Sequence, residues 1–203
     1  LMGVYHAQKT GEGDVIDVSQ YESCLRVQGY GPLMYTTTGE QLKRTGNKEA
    51  TYAGIDVFEC KDGNYCVVQV SGRPAAKAIA ALLGLDDEEH FIEGRPTLNG
   101  TPQGERLDGA IKAFCLERTP DEVETQLKAI GVACAPINNY EMLMSNPHVI
   151  ARNDFVEWYD EASEQTLKGV AVLPPVKNNP GQIWRGAPKL GQDNEDILEE
   201  LGY

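Results

Sequence analysis

Lys177-Asn178-Asn179-Pro180-Gly181-Gln182-Ile183-Trp184-Arg185-Gly186-Ala187-Pro188 is the most specific stretch of this chain. Its prolines and glycines rule out a helix interior or a central strand. It reads as an extended segment that docks Trp184 and presents Arg185. Leu190-Gly191-Gln192-Asp193 follows, a loop closed by Gly191 that feeds a short helix carrying Ile197-Leu198-Glu199-Glu200-Leu201. Asp193 or Asn194 can cap that helix, and Glu195 and Asp196 suit its positive end. The stretch lies within Gln165 to Gln192, the longest acid-free run of the chain, with bases at Lys168, Lys177, Arg185 and Lys189. Such a run suits an anion or a dimer contact, or a connector in which Trp184 fills a slot and Arg185 pairs with an acid.

Upstream, residues 1–10 read as the tail of a helix stopped by Gly11-Glu12-Gly13-Asp14. Val15 to Val18 reads as a short strand. Ser19, with Glu22 three residues on, has the capping-box spacing for a helix that Gly29-Tyr30-Gly31-Pro32 disrupts. Residues 36–50 read as loop. Ile55 to Cys60 and Tyr65 to Val70 flank Lys61-Asp62-Gly63-Asn64, the pattern of a β-hairpin. Ala75 to Leu85 reads as a helix ending at Gly84 or soon after, and residues 86–105 as acidic surface loop. Leu107 to Leu116 is an amphipathic helix, and Thr119-Pro120-Asp121-Glu122 opens another that Gly131 stops. Val132 to Ile137 is a buried strand. Tyr140 to Met144 and Pro147 to Arg152 are short helices; Phe155 to Trp158 and Leu167 to Leu173 are strands. The fold class is α/β.

The 203 residues carry a formal net charge of −13, which argues against nucleic acid or an anionic membrane surface as partner. No apolar run is long enough to span a bilayer, and Leu1 to His6 lacks the features of a signal peptide. The five cysteines, Cys24, Cys60, Cys66, Cys115 and Cys134, contain no CxxC and read as reduced, mostly buried thiols, which favours the cytoplasm. Cys60 and Cys66 flank the hairpin turn and can approach each other. His6, His90 and His148 lack metal-ligand spacing, so no metal site is expected.

The Lys177–Gly186 run closely resembles the C-terminal region of the family III CoA-transferases (the CaiB/BaiF family), most of all its carnitine branch. Thr10-Gly11-Glu12-Gly13-Asp14-Val15-Ile16-Asp17-Val18 resembles the family's Thr-Gly-x-Gly-x-x-(Val/Ile)-Asp-(Val/Ile) stretch. The resemblance covers most of the chain and is weakest at 86–105. It implies the C-terminal half of an interlocked-dimer fold. Residues 1–45 would be part of a large Rossmann-like domain and its linker, 46–138 a small α/β domain, and 139–203 the return to the large domain.

The activity it implies is transfer of CoA between carnitine-like carboxylic acids. An aspartate carboxylate attacks the acyl-CoA thioester, forming a mixed anhydride, and CoA returns through an aspartyl thioester. By the family pattern that aspartate falls N-terminal to Leu1, so no catalytic residue is expected within the chain, and the chain alone is expected to be an inactive fragment of the enzyme. CoA thioesters are substrates and no bound cofactor is implied; the partners are CoA, small carboxylic acids and, in the intact protein, a second copy in a homodimer.

Tyr52, Ala53 and Gly54 match a carnitine-branch segment and are the candidate substrate-binding residues. Gly54 would let backbone approach a ligand, and Tyr52 would face a quaternary ammonium. The alternative for this segment is a hairpin lead-in that needs a flexible residue. Asp17 reads as a strand-end residue bonded to nearby backbone, and Asp56 as a lesser substrate candidate. Two rival functions are an α-methylacyl-CoA racemase-like enzyme and a non-catalytic binding or assembly module.

Overall fold

Apolar spacing at Leu107, Ile111, Phe114 and Cys115, and again at Val123 and Leu127, gives two helices one buried face each, and the core forms where those faces meet a sheet. The structure, a computed structural model, describes every residue from Leu1 to Tyr203 and divides into two units, Leu1–Pro136 and Ile137–Tyr203.

The first unit begins with α1 (Met2–Thr10), which ends as expected at Gly11, whose N–H closes on the Ala7 carbonyl at φ 77°. In α2 (Gln20–Arg26), Ser19 Oγ accepts from the Glu22 N–H at 3.3 Å. One expectation fails here. Val15 to Val18 belong to no strand, since no other segment of the chain supplies a ladder partner. The chain has left α2 by Gly29-Tyr30-Gly31-Pro32, as expected, and Gly31-Pro32 then opens a further helix, α3 (Gly31–Thr38), because proline in a first turn forfeits no intrahelical bond. These three helices bury no side chain within the chain.

The core lies between residues 53 and 134. Strands β1 (Ile55–Glu59), β2 (Tyr65–Gln69) and β3 (Ala133–Pro136) form an antiparallel sheet in that order, with Phe58 opposite Cys66 and Val68 opposite Cys134. Around it run α4 (Arg73–Leu82), α5 (Glu89–Glu93), α6 (Pro102–Leu116) and α7 (Pro120–Ala129). Helix α7 opens with a full capping box: Thr119 Oγ1 accepts from the Glu122 N–H, and the Glu122 carboxylate accepts from the Thr119 N–H at 2.8 Å.

The acidic segment 86–105 is not simply surface loop. It contains α5, which puts Phe91 into the core, and Thr97 is buried too. Its acids misled the reading because they face outward onto arginines: Glu89 and Glu93 onto Arg95, Asp87 and Glu88 onto Arg106. Helix α6 also begins earlier than Leu107, because Thr101 Oγ1 caps it through the Gly104 N–H at 3.1 Å.

The second unit has α8 (Tyr140–Ser145), α9 (Pro147–Arg152), a hairpin of β4 (Phe155–Asp160) and β5 (Gln165–Val170), and α10 (Asn194–Glu200). Its one buried residue is a carboxylate, Asp160. Asp160 accepts from the Ser163 N–H and hydroxyl at 2.9 and 2.6 Å and from the Ala187 N–H at 3.0 Å, tying the proline-rich segment to the hairpin. Those donors, Ser163 foremost, hold its carboxyl below the usual carboxylate range. A Cβ on Gly186 would lie 2.0 Å from Asp160 Oδ1, so glycine is needed there.

Trp184 is not docked within the chain: it is 78% exposed, with the Arg185 guanidinium 4.7 Å above its ring. Arg185 holds both oxygens of Asp193 at 3.0 and 2.9 Å. That pairing explains why Asp193, at the N-cap of α10, makes no side-chain cap.

Candidate functional site

The sequence Thr51-Tyr52-Ala53-Gly54 forms a fixed turn leading into β1. The Glu49 carboxylate accepts from the N–H groups of Thr51 and Tyr52. Ala53 donates to the Thr97 carbonyl at 2.9 Å, and Asn99 donates to the Thr51 carbonyl at 2.9 Å. Gly54 donates to Asp108 Oδ1 at 2.7 Å, while Asp108 Oδ2 pairs with Lys48. Gly54 stands at φ +78°, and a Cβ there would lie 2.9 Å from Val70 Cγ2 and 3.2 Å from Leu107 Cδ2. Packing and backbone conformation therefore account for this glycine.

Beneath the turn is a cavity of about 580 Å³, lined by Tyr52 and Ala53 together with Ile55, Val70, Ala76, Pro96 and Leu107. That volume lies in the range of small-molecule sites. Its polar lining comes from Ser71, Arg73, Arg95 and Thr97; no acidic residue lines it. Arg95 is committed, with Nε on Glu93 at 2.6 Å and Nη2 on Glu89 at 3.1 Å, and the side-chain hydrogen bond from Arg95 lowers the Glu93 carboxyl. Arg73, in the first turn of α4, donates Nε to the Glu93 carbonyl at 2.6 Å. Its terminal amino groups make no hydrogen bond or ion pair within the chain.

Of the three candidate binding residues, Tyr52 and Ala53 line the cavity, and Gly54 sits behind them as the fixed point of the turn. Asp17 is exposed and makes no side-chain hydrogen bond to nearby backbone, so the strand-end role fails along with the strand itself. Asp56 Oδ1 accepts from the Val57 N–H at 2.7 Å, and Asp56 does not line the cavity. The sequence reading missed Arg73 because it began the helix at Ala75. The signal was Gly72-Arg73-Pro74, proline in a first helical turn.

Four of the five thiols are buried and Cys24 is exposed; none is in a disulfide. Cys60 and Cys66 Sγ atoms lie 3.6 Å apart, and Cys66 and Cys115 3.8 Å apart. Burial, foremost, pushes Cys60 up to about 12, and hydrogen bonding to Cys66, followed by burial, raises Cys115 and Cys134. Cys66, which receives those S–H groups, Cys115 first, is drawn downward. His90 Nε2 is 3.0 Å from Thr97 Oγ1, at the cavity's edge. No group of three or more His, Cys, Asp or Glu side chains is arranged to hold a metal ion, and no helix is long and apolar enough to cross a membrane.

The sequence matches the profile of CoA-transferase family III over residues 1–194. It is 35% identical over 210 residues to the bile acid CoA-transferase BaiK of Clostridium scindens, an alignment covering all of this chain and 47% of that protein. Among solved structures, a CAIB/BAIF family protein from Brucella suis superposes with a TM-score of 0.70 at 21% identity, over 98% of this chain and 50% of that one. Rv3272 from Mycobacterium tuberculosis gives 0.69 at 16% identity, over 97% and 51%. The chain thus spans about half the length of these relatives, and its mixed helix-and-sheet fold is that of the corresponding part of theirs. With nearly its whole length matched by the family profile, this chain belongs to CoA-transferase family III.

Proposed function

We propose that the protein moves CoA between two carboxylic acids through a covalent aspartyl intermediate. The observation that carries this reading is the family match across residues 1–194. An aspartate carboxylate attacks the thioester carbonyl; the C–S bond breaks, leaving a mixed anhydride and CoA thiolate. The thiolate then attacks the aspartyl carbonyl and releases the first acid. The second acid repeats the exchange in reverse and leaves as the new thioester, with the aspartate regenerated. No acid lines the cavity, and we assign the nucleophile to sequence outside residues 1–203, so that the chain alone does not turn over.

Tyr52 and Ala53 contact the acid, with Gly54 fixing their turn. Residues 46–138 act as the small domain, between two segments of a large domain. The intact protein works as a homodimer in the cytoplasm without a bound cofactor. The supporting feature for that compartment is four buried, unpaired thiols.

Two classes of acid have support. The Lys177–Gly186 run favours carnitine-like betaines. A second reading, a bulkier apolar acid, is favoured by 35% identity to a bile acid CoA-transferase along the whole chain. The test is a chromatographic CoA-transfer assay on residues 1–203 and on the protein extended N-terminally to the full length of its relatives. Two pairs are offered: crotonobetainyl-CoA with L-carnitine, and a bile-acid thioester with a second bile acid. Transfer by the longer protein only, with either pair, is the expected result. Turnover by residues 1–203 unaided would place the nucleophile inside them. Deuterium wash-in at the α-carbon without CoA transfer would favour a racemase.

A further inference from the structure

We infer that the cavity beneath Tyr52 and Ala53 is a binding site for an amphipathic carboxylate, with its apolar body on the inner wall and its anionic end on Arg73. The inference rests on the transferase reading for the acid's fate, but binding itself needs no turnover.

Three observations converge on that ligand. The inner wall is hydrocarbon: Ile55, Val70, Ala76, Pro96 and Leu107 all face the same space. Covering such a wall with an apolar ligand removes both surfaces from water, so a rigid hydrocarbon body gains more than a small, strongly hydrated betaine. A short betaine would also leave much of the 580 Å³ unfilled.

The charge in the cavity has one sign. Two guanidinium groups and no carboxylate line it. Arg95 is already held by Glu93 and Glu89, which leaves Arg73 as the group with unspent donors. A planar fork of N–H groups suits a carboxylate and repels a trimethylammonium.

Arg73 is also held in place before any ligand arrives. Its Nε is on the Glu93 carbonyl, and the chain passes so close at Gly94 that a Cβ would sit 2.7 Å from the Arg73 carbonyl oxygen and 3.1 Å from Arg73 Cγ. Gly94 has φ +64°, a second reason for glycine. A side chain fixed at its base and by its Nε loses little freedom when its terminal groups engage a ligand.

The test is calorimetric titration of the protein with monomeric cholate, with its neutral amide cholamide, and with L-carnitine. Cholate is expected to bind with one-to-one stoichiometry, cholamide about tenfold more weakly, and L-carnitine to give no saturable heat. Arg73→Ala should weaken cholate about tenfold and leave cholamide unchanged; Ala76→Phe, which fills the cavity, should abolish both. The cholate-to-cholamide ratio on the unaltered protein measures the anion's share even if a variant fails to fold. Equal affinity for cholate and cholamide, tighter binding of carnitine than cholate, or no cholate binding would each overturn the site. Bile-acid CoA transfer without cholate binding here would overturn the site alone. Cholate binding here, with no CoA transfer from either pair by the N-terminally extended protein, would overturn the transferase reading and leave the site standing.

Discussion

Replacing Gly54 with alanine tests whether the turn below Tyr52 is held by packing or merely tolerates a flexible residue. The left-handed conformation at φ +78° costs an alanine about 1–2 kcal/mol. Its Cβ would also sit 2.9 Å from Val70 Cγ2, 3.1 Å from Val70 Cβ and 3.2 Å from Leu107 Cδ2. Overpacking of that kind costs about 1–3 kcal/mol. Against this, alanine restricts the unfolded chain and returns about 0.4–1 kcal/mol. Gly54→Ala should therefore destabilise the protein by about 1–4.5 kcal/mol, measured by urea unfolding followed by far-ultraviolet circular dichroism. Val70→Ala removes the methyl that the new Cβ meets but leaves the backbone strain. In a double-mutant cycle the two substitutions should therefore be less than additive, by about 1–3 kcal/mol. A loss below about 1 kcal/mol, or additivity within about 0.5 kcal/mol, would refute the packing account.

Thr119→Ala breaks both halves of the capping box at the start of α7 and should cost about 1 kcal/mol, seen as a lower urea midpoint. Asp160 has a folded-state carboxyl lowered by Ser163 and Ala187, so its contribution is present above the unfolded value and is lost as pH falls through the folded one. Acid titration of the melting temperature should accordingly slope less in Asp160→Asn than in the unaltered protein. Thiol labelling with a disulfide reagent should modify Cys24 at once and the other four cysteines only on unfolding. A second thiol reacting promptly in the native protein would contradict the burial of Cys60, Cys66, Cys115 and Cys134.

The sequence was most readable where local chemistry and tertiary structure agree. The turn at Lys61 to Asn64, the Thr119 cap and the Gly131 stop each act through neighbouring residues, and all three stand where expected. It misled where the deciding partner was distant. Val15 to Val18 have strand-forming side chains, but a strand exists only beside another, and periodicity carries no information about a missing neighbour. Local sequence offers Asp193 or Asn194 as the cap of the helix that follows, whereas Arg185, eight positions upstream of Asp193, takes the Asp193 carboxylate and no side chain caps α10. The cavity was half legible. Tyr52 and Ala53 were marked by a family-like segment, but Arg73 joins them only through a fold that brings the start of α4 against the chain at Gly94. Proline at position 74 was the one local clue.

The unpaired stretch Val15-Ile16-Asp17-Val18 bears on how this protein behaves in concentrated solution. Val15 is 91%, Ile16 66% and Val18 73% exposed, and none of the four residues joins a backbone–backbone hydrogen bond. Apart from the Val15 N–H, which donates to Asp14 Oδ1 at 2.7 Å, the backbone groups here are open, and with three β-branched side chains they are a template for another copy to pair with. Asp17 is the single charge inside that tetrapeptide, and a charge in such a run opposes stacking. The surplus of acids over bases across the whole chain adds long-range repulsion between copies. That long-range repulsion fades as pH falls towards the sequence pI of about 4.6. Light scattering at fixed concentration should therefore rise as pH nears that value, and Asp17→Val, which leaves the run wholly apolar, should raise scattering at neutral pH as well.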